Sequence, residues 1–176
     1  MPRTRTFSCV LALTLAGCTK IPDSYAPPVQ RQTPDEFAAG LTHYISMNMP
    51  QAPDHIVTGV VPELQSNLYR WTLKNPTFRF RIPRTTGLRL QVDLTIPDET
   101  YRAKGPITIQ FFVEDHLLDQ RQYDKAGGAP FEKPVPAEWL TTDRPVVVRM
   151  EIDKIWKSPV DGAERGFIIT KLGFIE

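Results

Sequence analysis

The chain has 176 residues, with 21 Lys and Arg against 20 Asp and Glu, 17 Pro, 10 Gly and two Cys. That length is enough for one domain with a real core. At 41% hydrophobic and 23% charged residues the composition is neither that of a disordered chain nor that of a membrane-embedded one. The near-neutral balance excludes a dedicated nucleic-acid binder, which carries a strong basic excess.

Residues 1–17 run basic, then apolar, then small: Arg3 and Arg5, the stretch from Phe7 to Leu15, then Ala16 and Gly17 just before Cys18. This is the order of a secretory signal. From Phe7 to Gly17 there are 11 residues, whereas a helix crossing a bilayer needs about 20, so the segment reads as a removable signal.

Leu15-Ala16-Gly17-Cys18 resembles the lipobox of bacterial lipoproteins, set directly after the apolar stretch as in that family. The resemblance implies that the Cys18 thiol is alkylated with diacylglycerol, that cleavage falls between Gly17 and Cys18, and that the freed amine is acylated. Two or more acyl chains hold a protein stably on a bilayer, so the lipid bilayer is an expected partner through Cys18. Thr19 stands where an Asp would resemble an inner-membrane retention signal, which favours the outer membrane of a Gram-negative envelope. Cys9 would leave with the signal and Cys18 would be consumed, leaving a folded part without thiol or disulfide. Loss of Arg3 and Arg5 leaves 19 basic and 20 acidic residues, so the tether would be lipid rather than electrostatic.

Residues 18–32 hold Pro22, Pro27 and Pro28 with no apolar period and read as an extended linker. Thr33-Pro34-Asp35-Glu36 carries an N-cap residue, Pro at the first helical position and Glu at the capping-box position. Phe37, Leu41, Tyr44 and Ile45 follow at helical spacing, which predicts a short amphipathic helix over 34–47. Beyond residue 50 the frequent prolines leave little room for long helices.

The remaining segments alternate with period two, as half-buried strands do. Phe78, Phe80 and Ile82 alternate with Arg79 and Arg81, and Leu88, Leu90, Val92 and Leu94 with Arg89, Gln91 and Asp93. Ile107 to Val113 and Leu117 to Tyr123 flank Glu114-Asp115-His116 as a hairpin. Val146 to Ile152 alternates again, and Phe167 to Phe174 closes the chain. With His55 to Val61 and Leu68 to Thr72, eight or nine strands are predicted. The expected fold is mainly β: an antiparallel, jelly-roll-like β-sandwich over residues 33–176, with one leading helix.

Three features bear on function. His43, His55 and His116 stand at no metal-ligand spacing, and no HExxH, GxSxG or phosphate-cradling loop is present, so no catalytic residue, metal or cofactor is expected. Acid pairs such as Glu114 with Asp115 or Asp143 with Glu151 serve a glycosidase only at a defined separation. Second, eight Lys and Arg lie between Arg70 and Lys104. If residues 83–87 form a hairpin loop, Arg81 and Arg89 face each other outward with Arg79 one step away. Like charges so placed need compensation, either from an anionic partner or from neighbouring Asp and Glu, the more ordinary arrangement.

Third, Trp139 and Trp156 occupy loop-like positions, in an aromatic set with Trp71, Tyr69, Tyr101 and Tyr123. Exposed at a sandwich edge they would make a carbohydrate platform; buried they would plug its open ends. The layout over about 55–175 is similar to galactose-binding-like and carbohydrate-binding-module jelly rolls, on Tyr69-Arg70-Trp71, the Phe111 to Leu118 hairpin and Gly166-Phe167-Ile168-Ile169. That resemblance implies a non-catalytic binding domain displayed at the cell envelope, with a polysaccharide or an envelope protein as partner and no nucleic acid. The alternative is a structural subunit or assembly factor of an envelope complex, where the sheet edge or the helix with its apolar stripe of Phe37, Leu41 and Tyr44 meets a protein partner; a glycosidase is the third reading.

Overall fold

The computed structural model describes residues 40–176. The signal, Cys18, the linker and positions 34–39 of the expected helix lie outside the described residues.

In chain order the elements are β1 (Tyr44–Ser46), α1 (Ala52–His55), β2 (Ile56–Val60), β3 (Arg70–Phe80), β4 (Arg89–Ile96), α2 (Asp98–Lys104), β5 (Ile107–Val113), β6 (His116–Tyr123), β7 (Gly127–Gly128), β8 (Phe131–Pro134), β9 (Val146–Ile152), β10 (Trp156–Lys157), β11 (Glu164–Arg165) and β12 (Ile168–Ile175). All pairings between these strands are antiparallel. Eight of them are four residues or longer, which agrees in number with the eight or nine expected, although β3 takes in two of the expected segments and β8 was not among them.

The main sheet runs β6-β5-β9-β3-β12-β4-β7, with β1 on β12, β2 on β3 and β8 on β4. It doubles back on itself because β3 serves two neighbours. Its first residues, Arg70 and Trp71, pair with Ile169 and Ile168 of β12, while Thr77 to Phe80 pair with Arg149 to Val146 of β9. The result is an antiparallel β-sandwich with β12, β4, β8 and β1 in one layer and β2, β3, β9, β5 and β6 in the other. β10 and β11 form a separate two-stranded ribbon.

The period-two pattern becomes burial. In β5 and β9, Ile107, Ile109, Phe111, Val113, Val146, Val148, Met150 and Ile152 all point into the core, and from β4 Leu90, Val92, Leu94 and Ile96 meet them. Each such side chain contributes about 1.5–3 kcal/mol on burial. Rings lock the layers together. Phe111 of β5 stacks on Phe131 of β8 at 3.7 Å, and Phe80 of β3 meets Phe174 of β12 edge-on at 5.9 Å.

Two sequence expectations need correction. The helix predicted over 34–47 does not extend through 44–46, which form β1 against Gly173, Leu172 and Lys171 of β12. Leu41 and Ile45 fit a helical period, but Ile45 and Met47 also alternate, and their complete burial in the sandwich outweighs the local preference. The expected hairpin around residues 83–87 is also absent. β12, the last strand in sequence, lies between β3 and β4, so residues 81–88 carry the chain from one layer to the other. In addition, the segments expected at 68–72 and 77–82 meet in one strand, β3, over Arg70–Phe80. The 107–123 hairpin forms as predicted, closed by Glu114-Asp115 with Val113 paired to His116 and Glu114 at φ 53°.

α2 was not anticipated. Pro97 precedes it, Asp98 and Glu99 occupy its first turn, Arg102 and Lys104 its last, and Gly105 ends it at φ 74°, an arrangement that suits the helix dipole.

Candidate functional site

The outward face of the β6-β5-β9 layer carries a cleft of about 380 Å³ lined by Lys74, Thr108, Gln110, Gln120, Glu151, Ile152 and Asp153. Register alone assembles it. Gln110 of β5 pairs with Gln120 of β6 on one side and Glu151 of β9 on the other, placing two amides and a carboxylate in one row across three strands. The Gln110 Nε2 donates to Gln120 Oε1 at 2.8 Å. This leaves the Gln110 carbonyl oxygen and the Gln120 amide nitrogen without a partner among the described residues, one acceptor beside one donor.

The floor of the cleft is held from both ends. The Asp153 carboxylate accepts the Thr108 backbone N–H at 2.8 Å while its own N–H donates to Thr108 O at 3.0 Å. Glu151 is ion-paired to Arg149, whose guanidinium lies 3.9 Å over the Phe112 ring in the neighbouring row, a cation–π contact that fixes it. With Lys74 and Arg149 against Glu151 and Asp153, the formal charges around the cleft cancel. A face that combines paired donors and acceptors with no net charge suits a polyhydroxylated ligand better than an ion.

The residues singled out from the sequence are dispersed. Arg79, on β3, donates from Nε to Asp54 O at 3.0 Å. Arg81 is exposed in the crossover, its backbone N–H donating to Thr42 O at 3.2 Å. Arg89, on β4, pairs with Glu132 of β8 at 2.5 Å. Because β12 separates β3 from β4, Arg81 and Arg89 are not cross-strand neighbours, and the compensation is supplied by the protein itself for Arg79 and Arg89.

Trp139 is half-buried in a 3-10 turn, Ala137–Trp139, with its ring stacked on His116 at 4.6 Å. It sits at the β5–β6 turn. Trp156, half-buried in β10, is at the other end of β5, where Lys154 Nζ donates to Pro106 O at 2.5 Å. The two tryptophans are therefore separated by the length of a seven-residue strand, about 20 Å, and form no common platform. Glu114, one of the acidic turn residues, is held by Arg144 at 3.1 Å and by the Val147 N–H at 3.1 Å. Tyr101 and Tyr123 serve the fold: Tyr101 donates from its hydroxyl to Asp124 O at 2.5 Å, and Tyr123 packs on the core.

Sequence reasoning missed the cleft residues because polar side chains occupy the outward positions of every half-buried strand. The two-residue turn by itself would pair Gln110 with Asp119; the register shift between Phe111 and Phe112 brings Gln110 opposite Gln120 instead. The partnership with Glu151 depends on the placement of β9, which no local pattern reveals. Among the described residues no group of three or more His, Cys, Asp or Glu is placed to hold a metal ion.

No protein-family model matches the chain, and no curated protein matches it. Among solved structures it is similar to a family GH115 4-O-methyl-alpha-glucuronidase, BtGH115A, with specificity for decorated arabinogalactans, at 10% identity and a TM-score of 0.37. The match covers 79% of this chain and 17% of that one, so the chain spans less than a fifth of the enzyme it resembles.

Proposed function

We propose that this protein is a bacterial lipoprotein, anchored by acylated Cys18, whose β-sandwich binds a neutral glycan in the cleft on its β6-β5-β9 face and does no chemistry on it. The observation that carries the reading is the Gln120–Gln110–Glu151 row. Sugars present hydroxyls that each donate and accept, and a row of amide and carboxylate groups on rigid strands meets them with little loss of side-chain freedom. Phe112 lies one row away and offers an apolar edge. Glu151 and Asp153 both serve as acceptors in contacts that hold the sheet, which favours a binding role over a general acid and base. For docking through the helix, the protein-partner alternative looked to a stripe of Phe37, Leu41 and Tyr44; Leu41 is buried and Tyr44 lies in β1, while Phe37 is outside the described residues.

The test is a thermal-shift screen of the chain from Cys18 against neutral and acidic oligosaccharides, since a ligand that binds only the folded state raises Tm. A rise with neutral glycans that is lost in Gln110→Ala and Glu151→Ala is the expected result. A rise confined to acidic glycans, or one indifferent to both substitutions, refutes the cleft as the site. Expressed with residues 1–17 in place, Cys18→Ala loses the lipid label that the unsubstituted chain takes up, while glycan binding persists.

A further inference from the structure

A second cavity, about 250 Å³, opens between α1, β2 and the start of β3, lined by Pro53, Ile56, Val60, Pro62 and Arg70. Arg70 is only 8% exposed, and its Nε is buried with no hydrogen-bond partner. Among the described residues its guanidinium makes no ion pair and no hydrogen bond. The other half-buried arginines are all engaged: Arg79 by Asp54 O, Arg89 by Glu132, Arg149 by Glu151 and Arg165 by Asp161.

A cation largely withdrawn from water without a counter-charge is costly; here only Nε is fully buried, and the two terminal nitrogens stay accessible to an incoming anion. A buried lysine escapes by losing its proton, but a guanidinium stays charged at any pH a protein survives. An anion on the terminal nitrogens supplies the missing counter-charge. The guanidinium fork matches a carboxylate through two parallel hydrogen bonds, and the other four lining residues are apolar, so they suit a hydrocarbon portion attached to it. The cavity is smaller than the roughly 300–1,000 Å³ of drug-sized sites.

We propose that the Arg70 cavity binds a small carboxylate carrying a short apolar tail, with the carboxylate on the guanidinium and the tail against Pro53, Ile56, Val60 and Pro62. The site is built from α1, β2 and β3 and shares no lining residue with the glycan cleft, so either can fail without the other.

Hexanoate is the probe and hexanamide, equal in length but neutral, the control, each titrated against the full chain with Tm as the readout. Hexanoate is expected to give a saturable rise and hexanamide none. The rise should vanish in Arg70→Met, which keeps the apolar volume and removes the charge. Pro62→Glu, at an exposed lining position, should supply a carboxylate from within the chain: the ligand-free Tm rises and the hexanoate response disappears. This second variant decides the matter if Arg70→Met does not fold. No response to hexanoate, an equal response to hexanamide, or a hexanoate response that survives in Arg70→Met or Pro62→Glu overturns the proposal.

Discussion

Replacing Gly173 by alanine tests how β12 is held between its neighbours. Gly173 has φ 145° and pairs with Tyr44 of β1. A Cβ at this position would collide with the His43 carbonyl oxygen and lie 2.5 Å from Tyr44 Cα, both backbone atoms that no rotamer change can move. The backbone conformation alone costs an alanine about 1–3 kcal/mol. Relieving the collision means shifting β1, which carries Ile45 and, just beyond it, Met47, both completely buried. Even partial loss of those two side chains, each contributing about 1.5–3 kcal/mol when fully buried, brings the total to about 3–6 kcal/mol. That is a large fraction of the roughly 5–15 kcal/mol by which a domain is stable.

Gly87→Ala provides the comparison. Gly87 also has positive φ, 70°, but nothing lies within 4 Å of the position its Cβ would take, so it should lose only the left-handed penalty of about 1–2 kcal/mol. Urea denaturation of both variants, with the slope checked for constancy, gives the difference. If Gly173→Ala costs no more than Gly87→Ala, the close approach of β1 to β12 is not what requires the glycine.

Two further outcomes follow from buried titratable groups. His55 is fully buried, its Nδ1–H donating to Arg79 O at 2.9 Å and its Nε2 accepting the Thr42 N–H at 3.3 Å, so burial lowers its pKa below the usual 6.5, outweighing the Arg79 carbonyl and Asp54, which raise it. The unfolded chain then binds the extra proton first, and stability should fall as pH drops from about 6.5 through the folded value; an NMR titration placing the folded His55 at or above 6.5 would refute this. Tyr123 has its hydroxyl buried with no partner and its pKa pushed up to about 12 by burial. Because an orphaned polar group costs its desolvation without return, Tyr123→Phe should leave stability unchanged or raise it by up to about 1 kcal/mol; a clear loss by urea denaturation would show a partner for that hydroxyl.

The strands were legible where one face is buried along the whole length. In β4, β5 and β9 alternate residues enter the core, and the period of two is the direct imprint of the pleat. The 107–123 hairpin was legible as well, because its turn is local. The helix over 34–47 was misread through residue 46 because three residues of edge strand carry too little pattern to distinguish a period of two from 3.6. A lone glycine in Lys171-Leu172-Gly173-Phe174 signals a close backbone approach, but not which strand approaches.

What the sequence determined by itself is the β class and the inward face of each long strand, since both are written in neighbouring residues. The tertiary structure decided the rest. It placed β12 between β3 and β4, so Arg81 and Arg89 never became a shared face, and it set β9 beside β5, so Gln110, Gln120 and Glu151 form one row. It also left Arg70 buried against prolines and aliphatic side chains. Which strand lies beside which is set by how the two layers close over a common core, and that is a property of the whole chain rather than of any window within it.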